Sequence, residues 1–229
     1  MTMLPDGTKT VFFDFGDTLA YRARSIFEVW QAIAVEHGIT LQEDALVKAR
    51  TDADEMYGPK VYEFKGRMKE FWDLYHRQIL NTLGIGDARG ALLSAVNSAL
   101  PNTTKWYELF PESLHVVSTL KQRGYGLGII TNSTEGILER LKSLDLSQYL
   151  DTVVYSQEAG AEKPDPAPFE LALRRAGRSA GECVFVGDSL ETDARGARNV
   201  RIRPILVDRK GKYPNADCAT IHNLTELLN

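Results

Sequence analysis

Asp14, Thr131, Asn132, Lys163 and Asp188 are the residues of this chain whose types and spacing could do chemistry. Three of their positions stand just past a short apolar run. Asp14 follows Thr10-Val11-Phe12-Phe13, Thr131-Asn132-Ser133 follows Leu127 to Ile130, and Asp188 follows Cys183-Val184-Phe185-Val186 and Gly187. Lys163 comes after Gly160-Ala161-Glu162, downstream of a fourth run, Thr152 to Tyr155. A β-branched and aromatic run that stops abruptly at a polar residue reads as a buried strand opening into a loop. In an open parallel sheet the groups beyond the carboxyl ends of the strands converge on one rim. Two carboxylates, a hydroxyl, an amide and an ammonium gathered there suit a phosphate with Mg2+. Carboxylates hold the hard cation, while Thr, Asn and Lys donors hold phosphoryl oxygens.

The elements that must position these groups follow from the apolar pattern. From about Arg24 to Leu100 strand signals nearly vanish, and helices are predicted from Arg24 to His37, 43–56, 67–83 and 87–100. Phe71, Trp72 and Tyr75 recur there at helical spacing and read as core. The second half alternates: helix 112–123, strand 127–130, helix 135–144, strand 152–155, helix 168–176, strand 183–186, helix 193–199 and strand 205–207. That alternation predicts an α/β fold, a parallel sheet covered on both faces. The helical block is then an insertion, with a core of 1–20 and 106–229 and an inserted unit of 21–105.

Composition narrows the partners. Among 229 residues, 43% are apolar and 25% charged, which is ordinary usage for a soluble globular chain and argues against disorder. The net charge of −4 gives no global reason to bind nucleic acid or an anionic membrane. No apolar run approaches a membrane span, no basic-then-apolar leader is visible, and two cysteines are too few for a disulfide scaffold, so a cytoplasmic location is expected. The four histidines are scattered and read as surface or core residues rather than ligands.

Taken together, Phe13-Asp14-Phe15-Gly16-Asp17-Thr18-Leu19, Ile130-Thr131-Asn132, Glu162-Lys163-Pro164-Asp165-Pro166 and Val186-Gly187-Asp188-Ser189-Leu190-Glu191-Thr192-Asp193 resemble the four motifs of the haloacid dehalogenase-like superfamily, in the family's order. The resemblance covers essentially the whole chain. It implies a Rossmann-like core of about five parallel strands, a helical cap, and a Mg2+-dependent phosphomonoesterase acting on a small-molecule phosphate ester. Under it, Asp14 is the nucleophile and Asp14, the Gly16 carbonyl and Asp188 hold Mg2+. Asp193 supports the metal site or Lys163, Thr131 and Asn132 bind the phosphoryl group, and Lys163 neutralises charge. One departure matters. The family's phosphatases usually carry an aspartate two residues after the nucleophile, where this chain has Gly16, with Asp17 one place later. Two other readings share the motifs: a dehalogenase attacking carbon through Asp14, and a non-catalytic protein that binds phosphometabolites.

Overall fold

Thr10–Phe13 forms β1, all four residues buried, and the main sheet is built around it. In the computed structural model, which describes residues 3–64, 66–86, 90–99 and 107–229, the chain divides into two units. One is Met1–Arg22 with Tyr107–Asn229; the other is Ala23–Trp106.

In the first unit, β2 (Ala20–Arg22) pairs antiparallel with β3 (Tyr107–Leu109). The main sheet joins β1 to β4 (Gly126–Thr131), β5 (Thr152–Tyr155), β6 (Cys183–Gly187), β7 (Arg203–Val207) and β8 (Ala219–Ile221). Its order is β5-β4-β1-β6-β7-β8 and every neighbouring pair is parallel. The sheet has six strands rather than about five. The added strand, β8, is three residues long with one buried side chain, too short to leave a period in the sequence. The same brevity hid β2 and β3.

Alternation along the strands sorts the core into two layers. Val11, Phe13, Leu127, Ile129, Val184 and Val186 pack in one cluster, against Val116, Val117 and Leu120 of a helix over Ser113–Gln122 and Ile137 and Leu141 of another over Ile137–Ser143. Phe12, Ile130, Cys183 and Phe185 face the other way, against Phe169 and Ala172 of the helix Pro166–Ala176 and Ala197 of the helix Arg195–Asn199. With both faces covered, the strands read as unbroken apolar runs.

Helix Pro166–Ala176 starts two residues earlier than the predicted 168. Asp165 accepts from the Ala167 N–H at 2.8 Å, and Pro166 fills the first position, where a missing N–H costs nothing. Gly177, at φ 60, ends it. The predicted helix 193–199 begins instead as a wide π-type turn over Leu190–Ala194, with the Ala194 N–H donating to the Ser189 carbonyl at 3.0 Å.

The second unit is helical. It contains helices over Ile26–Glu36, Glu43–Tyr57, Met68–Thr82 and Ala91–Ala99, and a 3-10 stretch over Gly58–Phe64. Of the predicted helix 87–100, residues 87–89 and 100 lie outside the described residues. Ser25 and Glu28 form a reciprocal cap at the start of the first helix, at 3.1 and 2.6 Å. Trp30, Leu46, Ala49, Phe71, Tyr75 and Ile79 make its core. Among the described residues no helix is long and apolar enough to cross a membrane.

Candidate active site

The register of the sheet sets the level of each strand end. Phe13 pairs with Ile129 on one side and Val186 on the other. Asp14 is one step beyond Phe13, while Thr131 and Asp188 are two steps beyond its partners. The Asp14 N–H still donates to the Val186 carbonyl at 2.9 Å, so the last ladder bond fixes the backbone that carries the carboxylate. Asp14, Thr131, Lys163, Asp188 and Asp193 all line one pocket of about 170 Å3 at this carboxyl rim, together with Gly16 and Asn132. A larger cleft of about 360 Å3 opens near Thr10, Gly126 and Thr152, at the amino ends of the strands. Its charged residues include Lys121 and Asp151, which pair with each other, and it contains none of the motif residues.

Lys163 is the hub of the site. Its ammonium donates to Asp14 Oδ1 and to Asp193 Oδ1, each at 2.7 Å, and its side chain is 2% exposed. Burial works to lower its pKa, but the two carboxylates outweigh burial and hold it above the ordinary lysine value. Asn132 fixes the lysine's backbone: its Oδ1 accepts from the Lys163 N–H at 2.7 Å and its Nδ2 donates to the Lys163 carbonyl at 3.0 Å. Asp193 is held from the other side, its Oδ2 accepting from the Ser189 N–H at 3.1 Å. The π-type turn makes this geometry, and Gly187 makes room for it. A Cβ at position 187 would lie 2.6 Å from the Asp193 carboxyl carbon, so a side chain there would displace the aspartate.

Asp14, Asp188 and Asp193 each present an oxygen within 4.8 Å of the others. The crowding shows in their proton affinities. Burial pushes the Asp14 carboxyl up to about 6, opposed by Lys163 and reinforced by Asp193. Burial pushes Asp188 up to about 7, with the charges of Asp193, Asp14 and Asp17 adding to it. Three hard oxygen donors carrying more negative charge than one ammonium offsets are a donor set that fits a Mg2+-type cation. Such a cation would compensate the buried negative charge and relieve the repulsion that adds to the effect of burial.

Asp17 takes no part in this pocket wall. It is exposed, its φ is +53, and its N–H donates to the Ala20 carbonyl at 2.7 Å within the tight loop after β1. The shift of one residue therefore turns its side chain out of the pocket, and only its charge reaches Asp188. Gly16 does line the pocket, its φ is not left-handed, and nothing lies within 4 Å of where a Cβ would be.

A family profile for haloacid dehalogenase-like hydrolases matches residues 8–201. The chain belongs to this family of hydrolases. It is 32% identical over 208 residues to a glyceraldehyde 3-phosphate phosphatase of Methanothermobacter thermautotrophicus, covering 87% of this chain and 85% of the relative. Its fold matches a solved HAD phosphatase from Thermococcus onnurineus with a TM-score of 0.62 at 25% identity, 96% of each chain being covered. A solved 2-haloacid dehalogenase from Pseudomonas syringae pv. Tomato matches with a TM-score of 0.70 at 26% identity, again over 96% of each chain. The haloacid dehalogenase-like hydrolase therefore has structural relatives of both chemistries.

Sequence reasoning did not single out Phe15, Tyr107 and Arg140, which also line the pocket. Arg140 had a legible signal. It lies three residues after the fully buried Ile137, which puts it on the flank of the buried face of its helix. Tyr107 had none, because its place depends on the pairing of β3 with β2.

Proposed function

We propose that this hydrolase is a Mg2+-dependent phosphomonoesterase that forms an aspartyl-phosphate on Asp14, taking a small phosphate ester as substrate and working in the cytoplasm. The observation that carries the reading is the cluster itself: Lys163 bonded at 2.7 Å to both Asp14 and Asp193, with Asp188 adding a third carboxylate. A site for a dianionic phosphoryl group needs positive charge, and this one combines a buried ammonium with a cation-binding donor set.

In this reading an Asp14 oxygen attacks phosphorus and forms an O–P bond as the bond to the ester oxygen breaks, its electron pair leaving on the alkoxide, which takes a proton from water to become the alcohol. Water then attacks the phosphorus of the acyl phosphate, releasing inorganic phosphate and restoring the carboxylate. Lys163 offsets charge on the nucleophile and the phosphoryl oxygens. Thr131 supplies a hydroxyl to a phosphoryl oxygen. Asn132 acts through Lys163, whose peptide it brackets, and Asp193 acts through the same lysine. Asp14, Asp188 and the Gly16 carbonyl would hold Mg2+, which supplies charge neutralisation for phosphoryl transfer. The helical unit, Ala23–Trp106, takes the part of the cap that selects substrate. Relatives named as phosphatases, among them the glyceraldehyde 3-phosphate enzyme, support the reading.

The dehalogenase reading draws on the solved 2-haloacid dehalogenase and on the absence of a carboxylate at position 16. The three-carboxylate cluster weighs against it, since attack on a halogenated carbon calls for no divalent cation. The experiment is a panel of aryl phosphates, alkyl phosphates and 2-chloropropionate, each with Mg2+ or with chelator, on wild type and Asp14→Asn. Metal-dependent phosphate release that falls below a few per cent in Asp14→Asn is expected. Chloride release in chelator would replace this reading with the dehalogenase. Full phosphate release by Asp14→Asn would remove Asp14 as nucleophile.

A further inference from the structure

We infer that Arg209 is a positioning residue for the cation site: it holds the loop after β1 from outside the pocket and so fixes where the Gly16 carbonyl stands. The inference rests on the reading of a Mg2+ site at Asp14, Asp188 and Gly16, and adds to it a residue that none of the four motifs contains.

The loop over 15–20 is closed on itself. The Leu19 and Ala20 N–H groups both donate to the Phe15 carbonyl, at 3.1 and 3.0 Å, and the Asp17 N–H donates to the Ala20 carbonyl at 2.7 Å. A shift at Thr18 or Leu19 is therefore passed on to Phe15 and Gly16, which line the pocket. Two side chains tie down that far end. Ser113 Oγ donates to the Leu19 carbonyl at 2.6 Å, and Arg209 Nη2 donates to the Thr18 carbonyl at 2.9 Å. Arg209 reaches this carbonyl across 191 residues of sequence and is itself held on several sides. Its Nη1 donates to Glu112 Oε1 at 2.6 Å, and its guanidinium carbon lies 3.6 Å from the Phe110 ring centroid. The backbone that launches it is fixed as well, because the Asp208 carboxylate accepts from the Lys212 and Tyr213 N–H groups at 2.7 and 2.8 Å. The Arg209 and Glu112 side chains are 18% and 11% exposed. Such a pair is poor evidence of stability, since apolar side chains of similar volume often serve as well. What it supplies is direction: a planar fork stacked on one ring and paired with one carboxylate presents its remaining donors to a single place. That place is the carbonyl two residues after Gly16.

Groups that orient metal ligands without touching the metal change its affinity about 10- to 100-fold when they are removed. Arg209→Met should therefore weaken Mg2+ binding about tenfold or more by calorimetry, and Arg209→Lys, which keeps the charge without the fork, should fall between it and wild type. Ile202→Ala, a cut in the opposite core layer, reports a general loss of stability and should leave Mg2+ affinity within about twofold. Hydrogen exchange without metal is the second readout. In Arg209→Met, peptides covering 14–22 should exchange faster than in wild type while those covering 183–187 are unchanged. If Arg209→Met does not fold, Arg209→Lys decides by the same two measures, with a loss of about threefold or more in affinity expected. Mg2+ bound equally by wild type and the Arg209 variants overturns the positioning role and leaves the metal reading standing. A weakening matched by Ile202→Ala, or exchange speeded alike in both sets of peptides, is the result of a merely structural residue and overturns it too. A wild type that binds no Mg2+ overturns the metal reading itself, and with it the role assigned to Arg209.

Discussion

Removing the Lys163 ammonium is the sharpest test of how the site is held together. The lysine, Asp14 and Asp193 side chains are 2%, 12% and 3% exposed, so no solvent screens them when one member is lost. Lys163→Met keeps the volume and deletes the charge, leaving two carboxylates facing each other. Breaking a buried ion pair by removing one partner costs about 3–5 kcal/mol. The loss must depend on pH, and its sign follows from the protons. Asp14 already titrates at about 6 with the lysine present, against an ordinary carboxylate value near 4. Without the lysine the native state holds a proton to still higher pH, so it binds more protons than the unfolded chain across that window. Stability then falls as pH rises, by up to about 1.4 kcal/mol per pH unit for one such carboxylate. The variant should therefore recover roughly 2–3 kcal/mol between pH 8 and pH 5.5. Hydrogen exchange of peptides spanning β1 and β6, read by mass spectrometry at both pH values, measures the first unit directly. Adding Asp193→Asn should restore much of the loss at pH 8, because the remaining pair carries one charge instead of two. Equal protection of wild type and Lys163→Met at pH 8, or a loss that does not shrink on acidification, would refute the account.

Three further outcomes are expected. Mg2+ affinity by calorimetry should weaken about 10- to 20-fold from pH 8 to pH 6, because the cation must displace protons from Asp188 and Asp14, which titrate at about 7 and about 6; a flat profile would exclude these two carboxylates as ligands. Gly16→Asp places a carboxyl in open space at an unstrained backbone, so turnover of alkyl phosphates, whose leaving alkoxides need a proton, should rise relative to aryl phosphates by about a hundredfold, while Asp17→Asn changes neither; no change in the ratio would locate the proton donor elsewhere. In the helical unit, burial lowers His76 to about 4, opposed by its bond to Asn97, so the unfolded chain takes up the proton first and stability should fall by about 3 kcal/mol as pH drops from 6.5 to 4. Urea unfolding followed by tryptophan fluorescence reads this, since His76 packs on Trp30 and Trp72 with ring centroids 5.9 and 5.5 Å away; His76→Gln should flatten the slope, and an unchanged slope would mean another group is titrating.

What the sequence determined by itself is what a short stretch of chain can carry. The runs 10–13, 127–130 and 183–186 are strands because β-branched, aliphatic and aromatic residues buried on both faces need no partner pattern to be recognised. The polar residue closing each run marked the rim where Asp14, Thr131 and Asp188 meet, and parallel topology alone requires that convergence. Long helical periods marked the inserted unit in the same way. The tertiary structure decided everything that depends on a partner far along the chain. β2, β3 and β8 are three-residue strands that exist only through pairing. That Asn132 grips the Lys163 peptide across 31 residues, and that Lys163 bridges Asp14 and Asp193 across 149 and 30, follows from the loops those strands leave and not from any spacing. A left-handed φ at Asp17 turned a plausible acid outward, while the pairing of Arg22 with Tyr107 assembled the wall around Arg140. Local sequence fixes a residue's element and level in the sheet, because propensity and burial act over a few residues. Which side chains then touch is set by loop closure and packing, whose energies are shared among residues that the sequence keeps far apart.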